Sequence, residues 1–305
     1  MHKNTNALVK AIRLATLAAF AAPASVMAGG FSLNEQSASA MGVANAGAAA
    51  NPENATTVLF NPAGMSQLSG MNVSFGAAVL DIDAEAKEGS TSATNQLGMP
   101  VTGSTGGDIA DPAVLPNFYF THEINDSIDV GFGIHAPYGL AADYEDDFIG
   151  RYFADETELT AIAFTPSVAV NNGQGLSMGI GLNILYAEGR LSKFQDYSGA
   201  YFQAQQTADS LGVPLNGEPF APGYADVEGD DIGVTARIGF LYEMSQQTQF
   251  GLTAQTGTEL DLEGDADLSN YPVVQPGATG LNAFQTDVSR DVKVPLAIPE
   301  SVTFG

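Results

Sequence analysis

The chain has 305 residues, 45% hydrophobic and 15% charged, with 34 Gly, no Cys and a formal net charge of −25. So acidic a surface repels nucleic acid, and outside the N-terminus there is no run of about 18 apolar residues, which excludes helical membrane spans. The charged share also falls short of the roughly 25% usual in soluble domains.

The N-terminus reads as a secretory signal over residues 1–28. Lys3, Lys10 and Arg13 make a basic start, Leu14 to Val26 is apolar, and Val26-Met27-Ala28 offers a small-residue cleavage site. Its removal takes away three cations and no acid, so the charge of the mature chain is −28. Residues 29–70 follow, rich in Ala, Asn, Ser and Gly and without alternation. Asn34 to Ala46 and Asn54 to Leu68 are expected to form short helices, broken at Gly47, Pro52 and Pro62.

From residue 71 onward the pattern changes to period 2, so alternate side chains point to opposite faces of a strand. Strands are expected at Asn72–Leu80, Leu115–His122, Ser127–Ala136 and Thr160–Val170. A fifth follows Asn172-Gly173. There Leu176, Met178, Ile180, Leu182, Ile184 and Tyr186 oppose Ser177, Gly179, Gly181, Asn183 and Ala187, with Leu185 the one large residue on the small face. A sixth is expected at Ile232–Tyr242 and a seventh from Gln249, and an eighth begins near Glu300. A soluble sheet would carry charge opposite its apolar face. A small, nearly uncharged second face instead suits a transmembrane antiparallel β-barrel with lipid outside and a crowded lumen inside.

The expected connections alternate in length. Long ones span Asp81–Val114, Gly139–Leu159, Ser192–Asp231 and Glu263–Pro299; short ones carry the Asn, Asp and Gly that tight turns require. With the first strand rising outward, every long loop lies outside, as in bacterial outer-membrane barrels. A soluble β-sandwich would not explain this alternation. Seven strands and a stub leave unpaired edges that hydrocarbon does not tolerate. Residues 71–305 are therefore expected to be the N-terminal part of a larger barrel.

Catalysis finds little support. His122 and His135 are isolated, whereas hydrolysis needs a nucleophile, a histidine and an orienting acid together. No cofactor motif occurs and no metal is called for. The clusters Asp81/Asp83/Glu85, Asp143/Glu145/Asp146/Asp147, Asp226/Glu228/Asp230/Asp231 and Asp261/Glu263/Asp265/Asp267 sit at external strand ends and read first as a solvated rim. Hard oxygen ligands at alternate positions also suit divalent cations that bridge anionic headgroups, but none matches a full EF-hand loop. Cations are scarce, so Arg237, on the small-residue face of the sixth strand, is a candidate for an anionic ligand head or for a protein carboxylate. Arg190, Lys193 and Arg151 lie at the outer end.

Gly30-Phe31-Ser32-Leu33-Asn34-Glu35, followed by Asn61-Pro62-Ala63 and a first strand, resembles the start of the FadL-type long-chain fatty acid transporters. The likeness extends through Pro116-Asn117-Phe118, Ile124-Asn125-Asp126, Tyr138-Gly139-Leu140 and Tyr186-Ala187, then Lys193-Phe194, and covers residues 29 to about 260. The resemblance implies a 14-stranded barrel plugged by an N-terminal helical hatch, here residues 29–70. It also implies outside capture of a fatty acid or hydrocarbon, and lateral exit at a kinked third strand. By position, Phe31 and Leu33 belong to the hatch end that meets ligand, Gly139 marks the kink, and Lys193 meets the carboxylate. Pro137 and Gly139 are also residues that interrupt strand pairing. The acidic loops depart from a carrier of anions and leave room for neutral hydrocarbons. The chain is expected to work as a monomer among outer-membrane lipid and lipopolysaccharide. A surface adhesin or phage-receptor barrel without transport, and a general porin, are the competing readings.

Overall fold

The computed structural model describes residues 30–87, 92–245 and 247–305. The expected signal over residues 1–28 lies outside them. Ten strands of the main sheet run antiparallel: β1 Met71–Leu80, β2 Ala113–Asn125, β3 Ile128–Asp143, β4 Glu156–Asn171, β5 Leu176–Gln195, β6 Gly223–Ser245, β7 Thr248–Gln255, β8 Thr258–Pro276, β9 Leu281–Ile298 and β10 Ser301–Phe304. β1 to β6 pair in sequence order. β7 and β8 then share one edge of β6, β9 pairs with β8, and β10 pairs with β7. No described helix is long and apolar enough to cross a membrane.

Alternation governs the sheet as its sequence dictates. On β5 the residues from Leu176 to Tyr186 on the apolar parity are each 38–45% exposed, while Ser177, Asn183, Leu185 and Ala187 on the other are buried. A continuous exposed apolar surface of this kind is unusual in water and suits hydrocarbon. The apolar parity turns acidic towards the long connections, at Glu188 of β5 and at Asp226, Glu228 and Asp230 of β6. Arg190, on that same parity, donates to Asp226 at 2.9 and 2.7 Å and to Glu156 at 2.5 Å.

The covered face lies against residues 31–70. The expected helices are shorter than the sequence indicates: α1 Ala38–Met41, α2 Thr57–Phe60 and a 3₁₀ turn Pro62–Gln67. The break at Pro62 holds, because Asn61 is extended and its side chain caps the turn, accepting from the Ala63 N–H at 3.1 Å. Gly47 also breaks the chain, with φ +72°. The glycines of the covered face explain the close approach. A Cβ on Gly179 would collide with Pro62 and Ala63, and one on Gly239 with Asn61. One on Gly133 would lie 3.1 Å from the Tyr119 ring and 3.4 Å from Val58. Asn61, 1% exposed, completes the attachment by donating to the Ala49 carbonyl at 2.6 Å and the Phe240 carbonyl at 3.0 Å.

Two expected connections are corrected. β6 starts at Gly223, not Ile232, and the stretch from Glu263 to Pro299 is the paired strands β8 and β9, not a loop. Both extensions lie beyond the apolar band. There the alternation runs acid against apolar, with Asp261, Glu263, Asp265 and Asp267 opposing Leu260, Leu262, Ala266 and Leu268. Of the connections that remain long, 196–222 holds α3, Ser198–Leu211. It is tied to the first long connection through Asp196, whose carboxylate accepts the Gln96 N–H at 2.5 Å and the Ser198 N–H at 3.0 Å. Burial pushes that carboxyl up, but these donations outweigh it and hold it below its ordinary pKa.

Candidate ligand passage

β2 and β3 pair from Asn125↔Ile128 to Phe118↔Ile134 and then part, although β2 extends to Ala113 and β3 to Asp143. The parting coincides with a register shift of β3 against β4 between His135 and Tyr138, where Pro137 has no N–H to give. Residues 31–33 occupy the vacated edge. The Leu33 N–H donates to the Pro137 carbonyl and the Gly139 N–H to the Phe31 carbonyl, each at 2.9 Å. Gln36 closes the adjoining Ala136 carbonyl at 2.5 Å. A Cβ on Gly139 would lie 2.9 Å from the Leu33 side chain, so the glycine leaves room for this short added strand. The resemblance gave Phe31 and Leu33 as one end of the N-terminal segment and Gly139 as a kink, as separate expectations; in the structure the three are in contact.

Behind this seam is a cavity of about 180 Å³, lined by Phe31, Leu140, Leu159, Leu191, Val227, Leu262, Val294 and Leu296. Its floor is an apolar cluster of Tyr138, Ala161, Ala163, Leu185, Ala187 and Leu260. Phe31 meets Tyr138 edge to face at 5.5 Å. Glu158, Arg190 and Glu228 also border the cavity, but they share the outward parity of their strands.

Lys193 and Arg190 therefore differ. Arg190 is held by Glu156 and Asp226 on the outer side. Lys193 is exposed, shares the parity of Leu191 one step below it, and is not part of the cavity lining. Two residues along a strand is about 6.6 Å, so Lys193 stands above the cavity wall. Arg237 lies elsewhere, on the covered face. Its guanidinium donates through Nε to Gln255 Oε1 at 3.1 Å and through Nη2 to the same atom. Gln255 also receives Asn183, and Asn183 in turn accepts from Thr165. This polar belt sits one step below Leu185, between the apolar cluster and the Asn61-Pro62-Ala63 turn on Gly179. Among the described residues Arg237 has no carboxylate partner.

His135 is buried against Tyr119, ring centres 5.9 Å apart, and its Nδ1 has no hydrogen bond. Among the described residues no three His or acidic side chains converge as a metal cluster. The cavity itself was not read from the sequence. Leu159, Leu185 and Leu191, large apolar residues on a parity otherwise of Gly, Ala and polar residues, were the available signal.

The family described as outer membrane protein transport protein (OMPP1/FadL/TodX) matches residues 18–305. An outer membrane protein of Neisseria meningitidis, NMB0088, is 31% identical over 93% of this chain and 61% of its own length. The long-chain fatty acid transport protein of Escherichia coli K12 is 29% identical over 82% of this chain and 58% of its own. The chain spans about three fifths of the length of these relatives. Among solved structures, a Pseudomonas aeruginosa FadL homologue superposes with a TM-score of 0.72 at 19% identity, covering 90% of this chain and 65% of its own. The P. putida toluene transporter TodX gives 0.51 at 19%, covering 82% and 61%. These likenesses show the fold. With its exposed apolar strand faces and the match over residues 18–305, the chain belongs to the OMPP1/FadL/TodX family of bacterial outer membrane transport proteins.

Proposed function

We propose that the chain forms the N-terminal part of a barrel that carries fatty acids or other apolar compounds through the outer membrane. Residues 29–70 act as a hatch in its lumen, and ligand leaves sideways at the third strand. The observation that carries this reading is the strand-like seam of Phe31–Leu33 on Pro137–Gly139, directly in front of an apolar cavity. Ligand passing there has only a short three-residue contact to displace, not a full ladder. Each buried CH₂ stabilises the bound ligand by about 0.8 kcal/mol. The polar belt of Arg237, Gln255 and Asn183 disfavours passage of an apolar chain straight down past Leu185, since it would leave those groups without partners. The names of the relatives support both fatty acids and aromatic hydrocarbons as ligands.

The test is uptake by cells expressing the full-length protein in place of their own transporters. Labelled oleate or toluene should enter and a labelled disaccharide should not. Equal entry of the disaccharide favours an open porin, and entry of neither compound favours an adhesin or receptor.

The acid head is assigned to Lys193, above the cavity. Lys193→Ala should weaken binding of laurate on the order of tenfold, the worth of one charge-assisted hydrogen bond, and leave dodecanol unchanged. Titration of purified full-length protein with both ligands checks this. Equal losses would place the lysine in structure, not recognition.

A further inference from the structure

The wall is interrupted a second time. β6 pairs with β7 from Ser245↔Thr248 to Arg237↔Gln255, and with β8 from Asp230↔Glu263 to Ala225↔Leu268. Between these ladders six residues of β6, 231–236, face seven residues, 256–262. The register therefore slips by one and the parity of the second chain flips. Gly251 and Thr253 point to the covered face below the break, Leu260 and Leu262 above it.

Side chains finish the rims of this break. Ala236 and Thr256 exchange two bonds, one through the Thr256 hydroxyl at 3.0 Å. The Asp231 carboxylate accepts the Ile232 N–H at 2.7 Å and the Asp261 N–H at 2.8 Å. From Ile232 to Thr235 no strand is paired on this side. Ile232 and Val234 are 64% and 52% exposed. Their partners on β5 are Tyr186 and Ile184, so the break lies in the apolar band, in the half nearer the long connections.

Hydrocarbon makes such a break expensive, because each unpaired backbone group costs several kcal/mol. Its filling is two side chains, Leu260 and, beside it, Thr258, whose Cγ2 would lie 3.2 Å from a Cβ on Gly233. Leu260, fully buried, lies over Gly233, where a Cβ would come within 2.5 Å of its Cδ2. Next to it, Leu262, Val227 and Gly229 border the apolar cavity, whose other side is Phe31 and Leu140 at the third strand. The cavity thus lies between two interruptions of the wall.

We propose that the break between β6 and β7/β8 is a second side portal, through which an unbranched apolar chain passes between the cavity and the outer half of the bilayer, closed by Leu260 on Gly233. This rests on the reading that the cavity holds apolar ligand. Rotation of side chains, Leu260 first and Thr258 beside it, opens the portal, whereas the third-strand seam opens by displacing backbone.

The experiment uses the full-length protein with Gly233→Cys and Leu260→Cys together; these 305 residues contain no other cysteine. Uptake of labelled hexadecane is compared in one sample, oxidised and then reduced, with cross-linking followed by mass. The oxidised form should take up hexadecane at least fivefold more slowly and recover on reduction. Equal rates in the two states overturn the portal. If the bond does not form, Leu260→Ala and Leu260→Trp decide: the first should accelerate uptake and the second slow it, and unchanged rates in both overturn the proposal. Wild-type protein that carries no hexadecane and no oleate overturns the transport reading itself.

Discussion

Gly139→Arg should reduce uptake of labelled oleate by an order of magnitude or more while the barrel still assembles. The backbone of Gly139 pairs with Thr160 on one side and with Phe31 on the other. The β4 ladder can survive the substitution. What the arginine meets first is the end of the Leu33 side chain, 2.9 Å from the new Cβ, and a flexible leucine can give way. The rest of the arginine then fills the seam with a cation. An apolar ligand leaving past it must either displace the guanidinium or strip its water, at a cost of several kcal/mol, and about 1.4 kcal/mol already corresponds to tenfold. Uptake is compared in cells matched for heat-modifiable, folded protein. Wild-type uptake would show that ligand does not leave beside Gly139.

Gly239→Leu should open the lumen to ions. A Cβ there falls on Asn61 and within 3.0 Å of the Pro62 ring, and these neighbours are backbone-anchored, so they cannot simply rotate away. The turn Asn61-Pro62-Ala63 must lift, losing the bonds from the Asn61 amide to Ala49 and Phe240. Two buried hydrogen bonds and their unpaired remnants amount to roughly 2–6 kcal/mol. The strand itself keeps its ladder with Gly179 and Thr253. In planar bilayers the full-length variant should conduct in steps several-fold larger than wild type. Unchanged conductance in folded protein would mean that residues 29–70 do not plug the lumen.

Most of the wall was legible because one physical rule writes it. A strand between lipid and a packed face alternates large apolar with small residues, and β1, β4 and β5 do so most plainly. The same rule concealed β8 and β9. Beyond the apolar band the outward residues become Asp and Glu, so the alternation of Leu260, Asp261, Leu262 and Glu263 reads as an acidic loop to anyone looking for hydrocarbon contacts. The cavity was hidden for a related reason. Leu185 was visible as an exception to its small-residue face, but its neighbours Leu260 and Phe31 come from distant segments, and nothing local links them. The seam of Phe31–Leu33 on β3 was not legible; resemblance gave only the N-terminal end and, separately, the kink. An N-terminal stretch taking the edge that Pro137 gives up joins segments about a hundred residues apart, and no local pattern encodes it. Arg190 and Lys193 read alike in the sequence, as cations at the outer end of the fifth strand, and only the acid pair around Arg190 sets them apart.

The glycine face that receives residues 31–70 also sets an order of events. Asn61 bonds Phe240, 179 positions later, and Gln67 bonds Gln249, 182 positions later. Closing loops of this length costs conformational entropy that local pairing of neighbouring strands does not. Residues 61–67, made early, thus complete their contacts only once β6 and β7 have been made. Until β6 and β7 are in place, the seat of the N-terminal segment on β2 to β5 is incomplete, lacking the bare backbone at Gly239 and Gly251 on which Asn61 and Ala49 rest. Whatever escorts this chain to the outer membrane must keep the places at Gly239 and Gly251 open until the segment around Asn61 can dock there.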